Sequence, residues 1–229
     1  MIQNRILVLV VCCLCSFLKM AAQSSDGDKL ASDTLDQPLV NIINADNQVY
    51  DFTGEDEMII SNGNVRIVHD SIFIFCNSST LVNGVNLIAV GDVSIIKSDT
   101  IRVFSDSLYY QGDSLMAYFV GNVVLEDGDQ QLFTSFLQYD LEKDWAIYTD
   151  TALLITSDME IKSRRGIFHV DEDYVNFYDN VTIQGDNFDL LSDSLRFYSE
   201  AKVAEFLSPT LITQGDKKIY SEKGSYNLG

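Results

Sequence analysis

The side chains that could perform chemistry are few and scattered. The two histidines, His69 and His169, have no cysteine or histidine at metal-ligand spacing, and no G-x-S-x-G segment occurs. Asp106, Asp179 and Asp193 could bind Ca²⁺, but no G-G-x-G-x-D run surrounds them, so polar turn residues are the expected interpretation. The sequence therefore predicts no enzyme, no cofactor and no metal site.

The charge of the chain narrows the classes of partner. The formal net charge is −19, and removing Arg5 and Lys19 with the N-terminal segment described below leaves −21. Such a surface repels nucleic acids and anionic membranes, so no nucleic-acid partner is expected. The basic cluster Lys162, Arg164 and Arg165 could meet a phosphate, but a solvated turn is the expected interpretation.

Residues 1–22 have the layout of a secretory signal peptide. Arg5 precedes an apolar run from Ile6 to Leu18, small residues follow at Ala21 and Ala22, and a polar segment occupies residues 23–39. A lipoprotein signal is the alternative, because Cys12, Cys13 and Cys15 lie in this region. Export places the protein in the periplasm, with outer-membrane association left open. Removing the signal leaves Cys76 as the one cysteine, so no intramolecular disulfide forms.

The elements that would position a site repeat along the rest of the chain. Units that start at Gly63, Gly91, Gly121, Asp150, Asp179 and Ser208 are spaced by 28, 30, 29, 29 and 29 residues. The residues two and four places after each start are apolar, for example Val123 and Leu125, with Thr210 as the exception in the last unit. A period of two predicts a β-strand with one face turned to a shared interior.

Two further strands are predicted in each unit. One carries a small hydroxyl column, Ser105, Thr134, Ser163, Ser192 and Ser221, into which Cys76 falls as a small residue filling a small site. A column of large residues follows five places later, as at Tyr110 and Tyr139, and the third strand has a small-x-aromatic pattern such as Ala117 and Phe119. A period near thirty residues with stacked columns predicts one elongated all-β array over residues 40–229.

These motifs resemble those of the LptA/OstA family of lipopolysaccharide-transport proteins. The matching segments are "NGNVRI" at 62–67, "GDVSI" at 91–95, "GNVVL" at 121–125, "SDSLYY" at 105–110, "SDSLRFY" at 192–198 and "NADNQVY" at 44–50. The fourth unit departs from the pattern, with "DTALLI" and "SRRGIF". The resemblance implies an elongated β-jellyroll, or β-taco, here built from about six repeats of roughly 29 residues. It also implies a non-enzymatic protein that shields the acyl chains of lipopolysaccharide in an apolar groove, as part of a periplasmic bridge to the outer membrane.

The inward-facing columns are the expected lipid contacts. They are Val65, Ile67, Val93, Ile95, Val123, Leu125, Leu154, Val181 and Ile183, with Tyr110, Tyr139, Phe168 and Phe197 on the facing wall. The alternative is that these side chains form the ordinary core of a closed β-solenoid.

The repeat pattern stops part-way through its last unit, at "SYNLG". Either a longer protein continues here or another molecule covers the end. Because exposed edge strands pair readily, we expect end-to-end contact with other jellyroll domains or with a second copy. Two other functions stay open on the sequence alone, namely a β-solenoid enzyme that acts on polysaccharide and a structural surface adhesin.

Overall fold

The structure is a computed structural model that describes residues 40–99 and 101–228. The predicted signal peptide, 1–22, and the polar segment, 23–39, lie outside the described residues. Within the described part of the chain, no helix is long and apolar enough to cross a membrane.

The period-two runs form eighteen strands. They are β1 Asn41–Asn44, β2 Asn47–Asp51, β3 Met58–His69, β4 Ile72–Val82, β5 Asn86–Ile96, β6 Ile101–Gln111, β7 Met116–Asp127, β8 Gln130–Asp140, β9 Trp145–Tyr148, β10 Ala152–Ile155, β11 Met159–Ser163, β12 Arg165–His169, β13 Tyr174–Gly185, β14 Asp189–Tyr198, β15 Val203–Phe206, β16 Thr210–Gln214, β17 Lys217–Ser221 and β18 Gly224–Asn227. One 3₁₀ turn, Val170–Glu172, interrupts them. The predicted all-β class is confirmed.

The strands form one long antiparallel sheet whose rungs follow chain order. The long strands β3 to β8 each pair with the next. At other positions two short strands together take the place of one long strand, and both pair with the same long neighbour. In this way β1 and β2 pair with β3, β9 and β10 with β8, β11 and β12 with β13, and β15 and β16 with β14. Finally, β17 pairs with β16 and β18 with β15.

A bulge bends the long strands at the start of the sequence units. In β7 the register shifts between Val120 and Val123, and the two residues between them, Gly121 and Asn122, have φ of 77° and 43°. A Cβ on Gly121 would lie 2.4 Å from Oδ2 of Asp106, so the site accepts only glycine without displacement. The G-N-V motif is therefore a bend. It also makes the predicted third strand of one unit and the first strand of the next a single continuous strand.

The bends divide the sheet into two halves that face each other. Half A contains β2, β9, β12, β15 and β18 with the adjoining segments of the long strands, and half B contains β1, β10, β11, β16 and β17 with theirs. Side chains on the inner faces of both halves belong to one hydrophobic cluster. Tyr148 Oη of half A lies 2.6 Å from Ser163 Oγ of half B, which places the two inner faces in contact.

The hydroxyl column supports these bends. In each case the side-chain oxygen donates a hydrogen bond to the carbonyl two residues later, with distances of 2.7 to 3.4 Å. The residues are Ser105, Thr134, Ser163, Ser192 and Ser221. A Ser or Thr at this column donates to a carbonyl that the bend withdraws from the ladder, and its own hydroxyl is thereby paired.

Candidate functional site

The inner faces of the two halves bring all thirteen predicted lipid contacts together. Each is buried, with 0 to 7% of its surface exposed: Val65, Ile67, Val93, Ile95, Tyr110, Val123, Leu125, Tyr139, Leu154, Phe168, Val181, Ile183 and Phe197. Cross-strand pairs such as Val103 with Leu125 and Ile161 with Ile183 continue the apolar surface from rung to rung. The interior is thus one apolar layer along the array.

Large aromatic side chains fill the centre of this layer. Tyr110 and Tyr148 are fully buried, and each phenol has a partner: Tyr110 Oη lies 2.6 Å from His69 Nδ1, and Tyr148 Oη pairs with Ser163. Burial raises the pKa of both phenols above the usual value. Burial likewise raises the pKa of the Cys76 thiol to about 11. These groups are therefore neutral, and the interior presents no ionised phenol or thiolate to an apolar ligand.

The interior is closed in this conformation. The predicted contacts pack against one another and against further buried side chains, so they face no open groove. Whether they touch lipid stays a prediction, because the pattern that places them inside serves a packed core equally well. A lipid could reach them only after the halves separate.

The flank opposite the bends is where the halves meet edge to edge. Each half-B loop on this flank lies beside one half-A segment. The pairs are 69–71 with 110–115, 97–99 with 141–144, 127–130 with 170–173, 156–158 with 199–202 and 186–188 with 226–228. We call this flank the seam. Its contacts are non-covalent: Lys97 donates to the Leu141 carbonyl at 2.7 Å and forms an ion pair with Asp144, and Lys202 forms an ion pair with Asp158.

Additional contacts close the ends of the seam. The Val40 N–H donates to the Gly84 carbonyl at 3.1 Å, and the His69–Tyr110 pair described above follows next along the array. At the far end the rings of Phe188 and Tyr226 meet edge to face at 5.9 Å. Weak local contacts, rather than a continuous ladder of backbone hydrogen bonds, therefore hold the seam shut.

Comparison with known protein families tests the resemblance that the repeated sequence motifs indicated. The family described as OstA-like protein matches residues 37–193, which is more than half of the chain. The chain belongs to the OstA-like family. The predicted resemblance is thereby confirmed. A comparison with curated proteins finds no match.

The two ends of the OstA-like array have open edges within the described residues. At one end β1 and β2 pair on one side only, with β3, and at the other end β17 and β18 pair only with β16 and β15. Apolar side chains lie exposed on these terminal strands, with Val49 57% and Tyr220 66% exposed. Among the described residues, the outer edges of β2 and β17 therefore present backbone groups beside apolar surface, which suits pairing with another strand.

The charged residues singled out in the sequence lie at the bends. Arg165 pairs with Asp179 at 3.5 Å and stacks on Tyr178 at 4.9 Å. Asp106 accepts a hydrogen bond from the Asn122 amide at 2.9 Å, in support of the neighbouring bend. Among the described residues no group of acidic, histidine or cysteine side chains has the arrangement of a metal site.

The sequence reasoning missed parts of the OstA-like interior and all of the seam. The inner faces also include Ile74, Leu132, Ile161 and Leu190, which lie two residues before the hydroxyl column and could have been found from the same period of two. Phe119 and Phe177 belong to the predicted third strand and are fully buried. The seam contacts join residues 38 to 47 positions apart, from Phe188–Tyr226 to Lys97–Asp144, and no repeated column marks them.

Proposed function

We propose that this OstA-like protein binds lipopolysaccharide by its acyl chains, between half A and half B, and carries it as part of a periplasmic bridge to the outer membrane. One observation carries the proposal, namely the apolar interior that continues from rung to rung through the described part of the chain. Family membership supports a role related to lipopolysaccharide transport and supports a protein that is not an enzyme.

The physical benefit is the shielding of alkyl chains from water. Each buried methylene contributes about 0.8 kcal/mol, so several chains of about a dozen carbons expose tens of kcal/mol when they leave a membrane. A trough that stays apolar from one rung to the next lets a chain slide without that cost. We propose the family's β-jellyroll for the two-half arrangement, with about six repeats, and the thirteen inner-face residues as the lipid contacts.

Binding requires the halves to separate along the seam, since the interior is packed when closed. The bends are stabilised by hydrogen bonds within the strands, whereas the seam depends on a few side-chain contacts. Opening at the seam therefore costs fewer interactions than opening at the bends. An acyl chain that replaces the lost side-chain contacts with its own methylenes offsets much of this cost.

The polar part of the lipid stays outside the apolar layer. The net charge of −21 without the signal peptide disfavours a basic clamp for an anionic head group. The head group therefore remains in solvent or is bridged to the surface by divalent cations. This keeps the binding specific for tails.

The open ends supply the bridge. Head-to-tail pairing of β17 and β18 with the first strands of a second copy, or of another jellyroll domain, extends the trough from one molecule to the next. The exposed Val49 and Tyr220 become buried in such a contact.

Photo-crosslinking tests the proposal. A diazirine amino acid replaces Leu125, which points inward, or Val124, which points outward on the same strand. Delipidated protein is then incubated with lipopolysaccharide and irradiated. We expect labelling from position 125 and little from position 124. Equal or absent labelling at 125 would favour a closed structural array, and release of oligosaccharide from polysaccharide would favour an enzyme.

A further inference from the structure

A row of aromatic side chains crosses the outer face of half A beside the seam. Its members are direct cross-strand neighbours on β9, β12, β13 and β14, namely Trp145, His169, Tyr174 and Tyr198. Successive ring centroids are 5.3, 4.4 and 5.9 Å apart. Trp145 is 42% exposed and the other three side chains are half-buried, so the row presents aromatic surface to solvent. We call these residues the aromatic row.

Polar side chains lie directly beside the aromatic row. Arg196 Nε donates to Asn176 Oδ1 at 2.9 Å, and the guanidinium group stacks on Tyr174 at 4.5 Å. Tyr198 Oη donates to the Glu205 carboxylate at 3.2 Å. Asn176 is 7% exposed, whereas the side chains of Arg196 and Glu205 are 32% and 45% exposed. A buried amide and two aromatic rings thus orient two charged groups that still reach solvent.

A groove continues this surface from the end of the aromatic row. It begins at Tyr198 and Glu205, extends along β15 from Val203 to Leu207, and is also lined by Ser225 of β18. Its volume is about 1090 Å³, slightly above the roughly 300–1,000 Å³ that is usual for small-molecule sites. The groove therefore has room for several linked rings.

The charges around the groove balance. Glu205 and Glu222 are acidic, and Arg196 and Lys223 are basic, although the chain as a whole has a net charge of −19. Burial lowers the pKa of His169, so the aromatic row is uncharged at neutral pH. An uncharged ligand is also not repelled by the acidic surface elsewhere on the molecule. This part of the surface therefore suits an uncharged ligand.

We propose that the aromatic row and the groove form a binding site for a chain of uncharged pyranose sugars. A pyranose ring has a face of C–H groups, which packs on the negative face of an aromatic ring, and an edge of hydroxyls that donate and accept hydrogen bonds. Trp145 and Tyr198 supply the stacking surface. Arg196 donates to hydroxyl oxygens, and Glu205 accepts from hydroxyls.

The site lies outside the apolar interior and is formed while the halves are closed. The inference therefore goes beyond the proposed function and does not rest on acyl-chain binding. Two sources supply such a sugar chain, namely the saccharide part of a lipid and a lipid-free polysaccharide.

A second aromatic pair on the same face provides a matched control, because cross-strand aromatic pairs also stabilise sheets without any ligand. Tyr109 and Tyr118 face each other across β6 and β7 with ring centroids 6.1 Å apart. Tyr109 is 41% exposed, much like Trp145, and lies outside the lining of the groove. Its removal costs a comparable pair of rings but no part of the proposed site.

Tryptophan fluorescence tests the site, because Trp145 is the one tryptophan in the sequence and its emission reports on the aromatic row. The protein is titrated with three uncharged tetrasaccharides: cellotetraose, chitotetraose and mannotetraose. We expect a saturable change in emission with at least one of them. Tyr198→Ala and Arg196→Met should raise its Kd about tenfold or more, and Tyr109→Ala should leave the Kd within about twofold.

Circular dichroism checks that each variant is folded, and Arg196→Met, which keeps every ring, decides the matter if Tyr198→Ala does not fold. Competition then identifies the source of the sugar. Displacement of the tetrasaccharide by the neutral polysaccharide that mild acid releases from lipopolysaccharide assigns the site to the saccharide of the lipid, and binding without such displacement assigns it to a lipid-free polysaccharide. No saturable change with any tetrasaccharide, or equal effects of Tyr109→Ala and Tyr198→Ala, would overturn the saccharide site and leave the proposed acyl-chain binding standing.

Discussion

The bend at Gly121 gives a quantitative test of why the G-N-V motif exists. In Gly121→Ala the new side chain adopts a φ of 77°, which costs about 1–2 kcal/mol for a residue with a Cβ. Its Cβ also lies 2.4 Å from Asp106 Oδ2, so the aspartate must move and give up its 2.9 Å hydrogen bond with Asn122. A hydrogen bond to a charged group contributes about 1.5 kcal/mol at the low end of its range, which is appropriate for an exposed pair.

The expected loss in the free energy of unfolding is therefore about 3 kcal/mol. For a domain of this size that corresponds to a decrease in Tm of roughly 6–12 °C. The matched control is Gly128→Ala, where φ is 59° but no atom lies within 4 Å of the new Cβ, so only the conformational cost of about 1–2 kcal/mol applies. Thermal and urea unfolding of both variants gives the comparison.

A double variant separates the collision from the backbone cost. Asp106→Ala removes the oxygen that collides, so Gly121→Ala should cost less in the Asp106→Ala background than in the unsubstituted protein, with a coupling of about 1 kcal/mol. Equal costs at Gly121 and Gly128, or no coupling with Asp106, would refute the collision as the reason for glycine at this bend.

Two further predictions concern the seam. Lys97→Met removes a partly buried ion pair and a hydrogen bond to the Leu141 carbonyl, and we expect urea unfolding to show a loss of about 1.5–3 kcal/mol. Lys143→Met, which removes an exposed ion pair with Asp140 within one loop, should cost much less. Equal losses would contradict the role of Lys97. The pKa of Asp127 is raised in the folded state, so the charge of this carboxylate opposes folding above that pKa. Asp127→Asn should therefore raise the free energy of unfolding at pH 7, and the gain should vanish as the pH falls below the ordinary aspartate pKa of about 3.9. A gain that persists in acid would contradict this assignment.

Much of this fold can be predicted from the sequence because the repeated units stack in chain order. The period of two places Val123 and Leu125 on an inner face, and the repeat of about 29 residues aligns those faces from unit to unit. The Gly residues that open the units mark the bends, for a steric reason that the structure supplies. Local spacing carries this information because each rung contacts its neighbours only.

The sequence does not predict that the interior is closed. A period of two says which way Leu125 points and nothing about how far half A lies from half B. The seam depends on Lys97 with Asp144 and on Lys202 with Asp158, which are brought together by loops 47 and 44 residues apart. These pairs stand outside the repeated columns, so nothing in the local pattern distinguishes them from other exposed charges.

Nuclear magnetic resonance on lipid-loaded protein tests whether acyl chains lie between half A and half B. Protein with labelled Ile, Leu and Val methyl groups is loaded with lipopolysaccharide, and nuclear Overhauser effects are recorded between acyl methylenes and protein methyls. We expect contacts to the inward methyls of Ile95, Leu125 and Ile183 and none to the outward methyls of Ile88 and Leu191. Acyl contacts confined to the outward methyls, or no acyl contacts at all, would contradict this expectation.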